Sequence, residues 1–207
     1  MAALLFVPAL ALAADAGFTP LFNGHSLENW TLIGGHGPGY VAQDGRIVCP
    51  ADGGGNLFTE GEYADFILRL EFLLAAGANN GVGIRAPLKG RISQVGMEIQ
   101  LRDDTAPEYR ERQQPVKNTG SIYDAIPART GFLKPAGEWN SMEITAKGRR
   151  IQVALNGTRI LDADLDSVHD PAVLKVHPGL ARTSGHIGLL GHGTRVEFRN
   201  IRIRELP

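Results

Sequence analysis

A period of two runs through this chain and limits what it can become. In "DFILRLEFLLA", residues 65–75, Phe66, Leu68, Leu70, Phe72 and Leu74 fall on one side, and Asp65, Arg69 and Glu71 on the other. That is the pattern of a strand with one face buried. It returns in "WNSMEITAKGRRIQVALNGTRILDADL", where Lys147-Gly148 and Asn156-Gly157 read as turns between three strands, and in "YVAQDGRIVC", folded around Asp44-Gly45. The last stretch, "HIGLLGHGTRVEFRNIRIREL", sets Val196, Phe198, Ile201 and Ile203 in near alternation, with a slip of phase around Asn200. Helical periodicity is hard to find. Many strands joined by glycine-containing turns predict an all-β sandwich of two antiparallel sheets.

The 26 glycines and 12 prolines are spread along the chain, so they punctuate turns and mark no linker. One domain is expected over residues 15–207. Long loops are expected at 34–39, 51–55, 103–120 and 167–185, with a short helix near Asp170–Leu174. Of these, "DDTAPEYRERQQPVKNTG" is too long for a hairpin, and a loop of that length in a compact domain is usually functional.

A formal net charge of -1, with no local run of Lys and Arg, leaves no footprint for nucleic acid or an anionic membrane surface. Residues 1–14 are apolar from Ala2 to Ala14 and contain the small-x-small pattern Ala11-Leu12-Ala13. The stretch is too short to be an integral membrane span and reads as a secretory signal peptide, placing the mature chain in the periplasm or outside the cell. Cys49 is the single cysteine, so no intramolecular disulfide can form; among the apolar residues of "GRIVCP" it is expected to be a buried, inert thiol.

Chemistry concentrates in "GMEIQLRDD", residues 96–104. Glu98, Gln100 and Arg102 share one strand face, while Met97, Ile99 and Leu101 share the other. A solvated outer sheet face would account for such a row, and so would the floor of a polar binding site. In the preceding "ANNGVGIR", Val82 and Ile84 point one way and Gly83 and Arg85 the other. If the two strands are neighbours, Arg85 joins the polar row, and a guanidinium beside a carboxylate and an amide offers donors and acceptors to a polyhydroxylated ligand. His192 lies between glycines in "LLGHGTRVEFRN"; it and His186 are the histidines with a case for catalysis or ligation, against a turn-stabilising role. No metal-ligand spacing is visible. Asp103, Asp104 and Glu108 form a small acidic cluster, and Asp162, Asp164 and Asp166 alternate as on a solvated strand edge; neither has the calcium-loop pattern. Trp30, Tyr123 and Trp139 are candidate platforms for a sugar face or ordinary core aromatics. No nucleophile elbow, phosphate loop or dinucleotide fingerprint is present.

Taken in order, "GFTPLFNGHSLENW", "YADFILRLEF", "ANNGVGIR", "GMEIQLRDD", "TGSIYD", "KPAGEWNSMEI", "VALNGTRI" and "GHIGLLGHGTRVEFRNIRIREL" resemble the 3-keto-disaccharide hydrolase domain family over nearly the whole mature chain. Asn80 stands where that family commonly has Ser, and "LLGHG" replaces a more usual Leu-Gln-x-His-Gly. The resemblance implies a concanavalin A-like jelly-roll sandwich and action on glycosides whose glucose ring is oxidised at C3. A C3 ketone acidifies the C2 proton, so a base can remove it and the C1 leaving group departs by β-elimination, water addition completing a net hydrolysis. On this reading His192 ranks first and Glu98 second as base, and Arg85 stabilises negative charge. Asn79, Gln100, Asp103, Tyr123 and Trp139 contact a carbohydrate substrate. A divalent metal ion bridging the C2 hydroxyl and C3 carbonyl also suits this chemistry, with its ligands unknown. Two other classes stay open: a non-catalytic lectin-like module using the same face, and a conventional glycoside hydrolase, against which stands Gln100 where a second acid is expected.

Overall fold

The inward faces predicted from alternation do meet one another. In the computed structural model, which describes residues 16–207, Phe66, Leu68, Leu70, Phe72 and Leu74 pack against Val82, Ile84, Ile99, Leu101 and Leu189 in one shared core. Burying each such side chain contributes roughly 1.5–3 kcal/mol relative to leaving it in water. The leader of residues 1–14 lies outside the described residues. No helix among the described residues is long and apolar enough to cross a membrane.

Among the described residues thirteen strands carry the fold: β1 (Thr19–Pro20), β2 (Trp30–His36), β3 (Val41–Gln43), β4 (Arg46–Cys49), β5 (Gly54–Tyr63), β6 (Phe66–Leu74), β7 (Asn79–Ala86), β8 (Met97–Arg102), β9 (Trp139–Lys147), β10 (Arg150–Leu155), β11 (Thr158–Asp164), β12 (Gly185–Gly191) and β13 (Val196–Glu205). Eight form one sheet, in the order β11-β10-β9-β6-β13-β4-β3 with β1 added on β13; five form the other, in the order β2-β5-β12-β7-β8. Every pairing is antiparallel, and the chain passes repeatedly from one sheet to the other, giving the jelly-roll sandwich.

The turn chemistry explains the registers. Asn156 and Gly157 both take positive φ, 50° and 82°, the conformation a two-residue hairpin needs, and Leu155 pairs with Thr158 around them. Between β9 and β10 the two loop residues are Gly148 and Arg149, one place later than the Lys147-Gly148 expected, because Lys147 pairs with Arg150. The slip at Asn200 is a register shift in β13 between Arg199 and Arg202, with Asn200 at φ 53°. The expected helix forms at Pro171–Val176, with Asp170 accepting from the Ala172 amide as its cap. Asp162 and Asp164 belong to β11, the edge strand of the larger sheet, where Asp162 pairs with Arg150. Cys49 is buried, and burial pushes its thiol pKa up.

Candidate functional site

Strands β7 and β8 are neighbours, and their register builds the floor of a pocket. Gly83 lies opposite Glu98, Gly81 opposite Gln100, and Asn79 opposite Arg102, all on the sheet face turned away from the core. Glu98 and Gln100 can lie over β7 because the facing residues have no side chain. A Cβ on Gly81 would collide with the Glu98 carboxylate, and one on Gly83 would press on Ile92 at 3.2 Å. The pocket encloses about 240 Å³, room for roughly eight waters at ~30 Å³ each, which matches one sugar ring better than a longer glycan.

Its walls come from four further segments. Asn56 reaches in from β5 and Leu190 from β12. Residues 118–126 run along the edge of β8: the Gln100 amide donates to Ser121, the Gly120 amide to Gln100, and the Tyr123 amide to the Glu98 carbonyl at 2.9 Å. That pairing covers the sheet edge and sets Tyr123 beside Glu98. Opposite stands the short helix Ile92–Val95 with Gly90 and Arg91 before it. Ile92 packs on Phe58, Ala86 and Leu190, a small apolar cluster separate from the main core. Behind this helix His177, buried, has Nδ1 2.7 Å from the Ser93 carbonyl, and Gly179 lies so close to Gly96 that a Cβ would strike its backbone.

His192 follows β12 in a turn that Thr194 fastens to β7. The Thr194 hydroxyl accepts from the Asn79 amide at 3.0 Å and lies 3.0 Å from Asn80 Oδ1, while the Asn80 side-chain amide donates to the Thr194 carbonyl. The imidazole, about half exposed, places Nε2 3.4 Å from Oε1 of Glu98, whose side chain is only 6% exposed. Gln100 donates through Nε2 to Asn79 Oδ1 at 2.6 Å, which turns its carbonyl oxygen the other way. That oxygen, Oε1, is buried and has no hydrogen-bond partner among the described residues. A fold rarely leaves a buried acceptor unpaired unless a ligand or an ordered water supplies the donor.

Of the residues expected from sequence, Asn79, Glu98, Gln100, Tyr123 and His192 therefore line one pocket. Three do not. Arg85 leaves the polar row because β7 bulges: Ala86 pairs with His186 and Gly83 with Gly188, so two residues of β7 oppose one of β12. With φ 47°, Arg85 turns its fully buried side chain to the carbonyls of Ala64 and Gly148 and to Asp65. Asp103 anchors the following loop, accepting from the amides of Gly77 and Thr105 and from the Thr105 hydroxyl. Trp139 belongs to β9 of the other sheet, under the Arg199 guanidinium at 4.0 Å. His186 is likewise structural, with Nδ1 2.8 Å from the Thr59 carbonyl. Sequence reasoning missed Asn56, Arg91 and Ser93: Asn56 sits at an ordinary outward strand position and the other two in an unremarked "GRIS".

The family described as the 3-keto-alpha-glucoside-1,2-lyase-like domain matches residues 17–204. The chain belongs to that family. It is 25% identical over 239 aligned positions to a 3-keto-disaccharide hydrolase of Bacteroides thetaiotaomicron, covering 95% of this chain and 81% of that protein. Two crystal structures from Parabacteroides distasonis, provisionally named glycosyl hydrolases, share the fold. One superposes with a TM-score of 0.76 at 30% identity, covering 91% of this chain and 99% of the other; the second has a TM-score of 0.78 at 24% identity, covering 98% and 99%.

Within this 3-keto-alpha-glucoside-1,2-lyase-like domain the pocket carries few ionisable groups. Among the described residues Glu98 is the only carboxylate lining it, and His192 the only imidazole. Among the same residues no group of three or more His, Cys, Asp and Glu side chains converges. A divalent ion would have Glu98, His192 and the Gln100 amide oxygen as donors, a mixed oxygen and nitrogen set that needs water to complete its shell.

Proposed function

We propose that the protein cleaves 3-keto-glycosides by elimination across C1 and C2, with water addition completing a net hydrolysis. The observation that carries this reading is the couple at the pocket floor: a half-exposed imidazole whose Nε2 lies 3.4 Å from a buried carboxylate. A neutral His192, its Nε2–H directed at Glu98, takes the C2 proton on Nδ1, and the electron pair left at C2 passes into the carbonyl to give an enolate at C3. The enolate collapses, C1–C2 becomes a double bond, and the C1–O bond breaks with its pair going to the leaving oxygen, which takes a proton. Glu98 stabilises the imidazolium in between, since a charge pair in a partly desolvated site is worth more than in water. Gln100 Oε1 accepts a hydroxyl of the sugar, and the Tyr123 and Asn56 side chains offer donors to the enolate oxygen. A divalent ion held by Glu98, His192 and Gln100 would act as a Lewis acid on the ketone.

Conventional glycosidase chemistry fits this pocket poorly, because it needs a second carboxylate flanking the anomeric carbon and Glu98 stands alone among the described lining residues. The apolar leader supports a periplasmic or extracellular setting. The test is product formation from a 3-keto-glucoside and from its unoxidised parent, followed by mass and by enone absorbance. Cleavage of the keto form alone is expected. Cleavage of the parent at a similar rate points to a conventional hydrolase, and binding of either without cleavage to a lectin-like module.

A further inference from the structure

The pocket contains one charge that its floor chemistry does not use. Arg91 lines it from the segment before the Ile92–Val95 helix and is solvent-exposed, whereas Glu98 and Gln100 beneath are buried. Its guanidinium makes no hydrogen bond or ion pair among the described residues. Many arginines of this chain are committed, Arg46 to Glu197, Arg102 to Asp104 and Arg199 to Glu71, whereas Arg91 is free and lines the pocket. Glu98, buried at the floor beside His192, makes no ion pair with it. The neighbouring Lys89 adds a second exposed cation and no acid stands beside it in "PLKGRIS". A sugar ring bound with C2 and C3 against the floor and C1 toward the Gly90–Ile92 side sends its leaving group past Arg91.

We propose that Arg91 is a specificity-determining residue that selects glycosides whose leaving group carries an anionic substituent, a carboxylate being the best match to a planar guanidinium fork. This rests on the ring orientation assumed in the elimination reading, but its test does not depend on turnover. The probes are 4-carboxyphenyl α-glucoside and its neutral methyl ester, both unoxidised, with binding measured by calorimetry at pH 7 and low salt. The acid should bind about two- to fivefold more tightly than the ester, the range expected of an exposed ion pair, and raised salt should shrink the ratio. In Arg91→Gln the ratio should fall to about one while ester affinity stays unchanged.

Equal affinity of acid and ester for the wild-type protein overturns the assignment, weak binding of both included. An acid preference that survives in Arg91→Gln overturns it too, since the selectivity would then come from another cation. The 3-keto forms of both probes separate this inference from the elimination reading. No turnover of either, with the binding preference intact, removes the proposed reaction and keeps Arg91 as the anion-selecting residue.

Discussion

At the scale of single residues the site is an opposition between stability and chemistry. Glu98 is a buried carboxylate whose nearest ionisable neighbour is His192, 3.4 Å away, and no arginine or lysine among the described residues bonds to it. Burying a charge with so little compensation costs free energy, and a fold keeps such a group where its charge is used. Glu98→Gln preserves shape and removes the charge. It should lower kcat on a 3-keto-glucoside by at least about 100-fold, the scale of losing acid–base assistance, while the melting temperature stays equal or rises. Steady-state rates beside a thermal melt check both halves, and an unchanged rate removes Glu98 from the mechanism. Alternation in "MEIQLR" is enough to put Glu98 and Gln100 on one face, since a strand's side-chain period is fixed by its backbone. The glycines of "NNGVGIR" mark the clearance above them. Nothing comparable marks Asn56 or Arg91, because an outward strand position or a loop cation looks the same in sequence whether it faces solvent or a pocket.

Elements decide which of these residues meet. The five-stranded sheet brings β7, β8 and β12 together, and the segments 118–126 and 90–95 raise walls on either side. Loop 103–120, expected from its length to be functional, contributes to the first of these walls only by its last residues, and Asp103 is its anchor at the other end. Burial pushes the Asp103 carboxyl pKa up, but the hydrogen bonds from Thr105, with those from the Gly77, Thr105 and Ala106 backbone, outweigh it and hold the group below its usual value. A pKa lower in the folded than in the unfolded chain means stabilisation that is present above the unfolded value, about 3.9, and lost as pH falls through the folded one. Asp103→Asn should therefore cost about 1–3 kcal/mol at pH 7, and the gap from the wild-type protein should close below about pH 4. Urea melts at pH 7, 5 and 3.5 read this directly; a gap independent of pH would mean that the charge is not what holds the loop. Alternation can place Asp103 after the strand but cannot show that its lone pairs are already taken by its own backbone.

At the scale of the whole molecule the misplaced residue is the informative one. Arg85 is legible as a polar residue next to the site, and unbroken alternation would put it there. One extra residue in β7 reverses its direction, and bulges of this kind depend on cross-strand pairing that a single strand's pattern does not contain. The result is a clasp. Arg85 starts in the five-stranded sheet and reaches Asp65 and the Ala64 carbonyl, in the turn between β5 and β6. It also reaches the Gly148 carbonyl between β9 and β10, and the Arg182 carbonyl in the long segment before β12. Arg182 returns a bond from Nε to the Arg85 carbonyl at 2.7 Å. Both sheets and the segment that backs the Ile92–Val95 wall are thus tied to one fully buried guanidinium. Arg85→Ala takes the guanidinium donors from these carbonyls and leaves Asp65 only the Gly148 amide, and should cost about 3–5 kcal/mol, a large part of the roughly 5–15 kcal/mol that stabilises a domain. Arg85→Lys should recover little of that, because one ammonium cannot span acceptors that a planar fork reaches from three directions. Activity per folded molecule, measured at low temperature where enough of each variant is folded, should survive in both, since Arg85 does not line the pocket. If instead Arg85→Lys keeps its denaturation midpoint and loses kcat/KM, the clasp is wrong and Arg85 acts on the substrate after all.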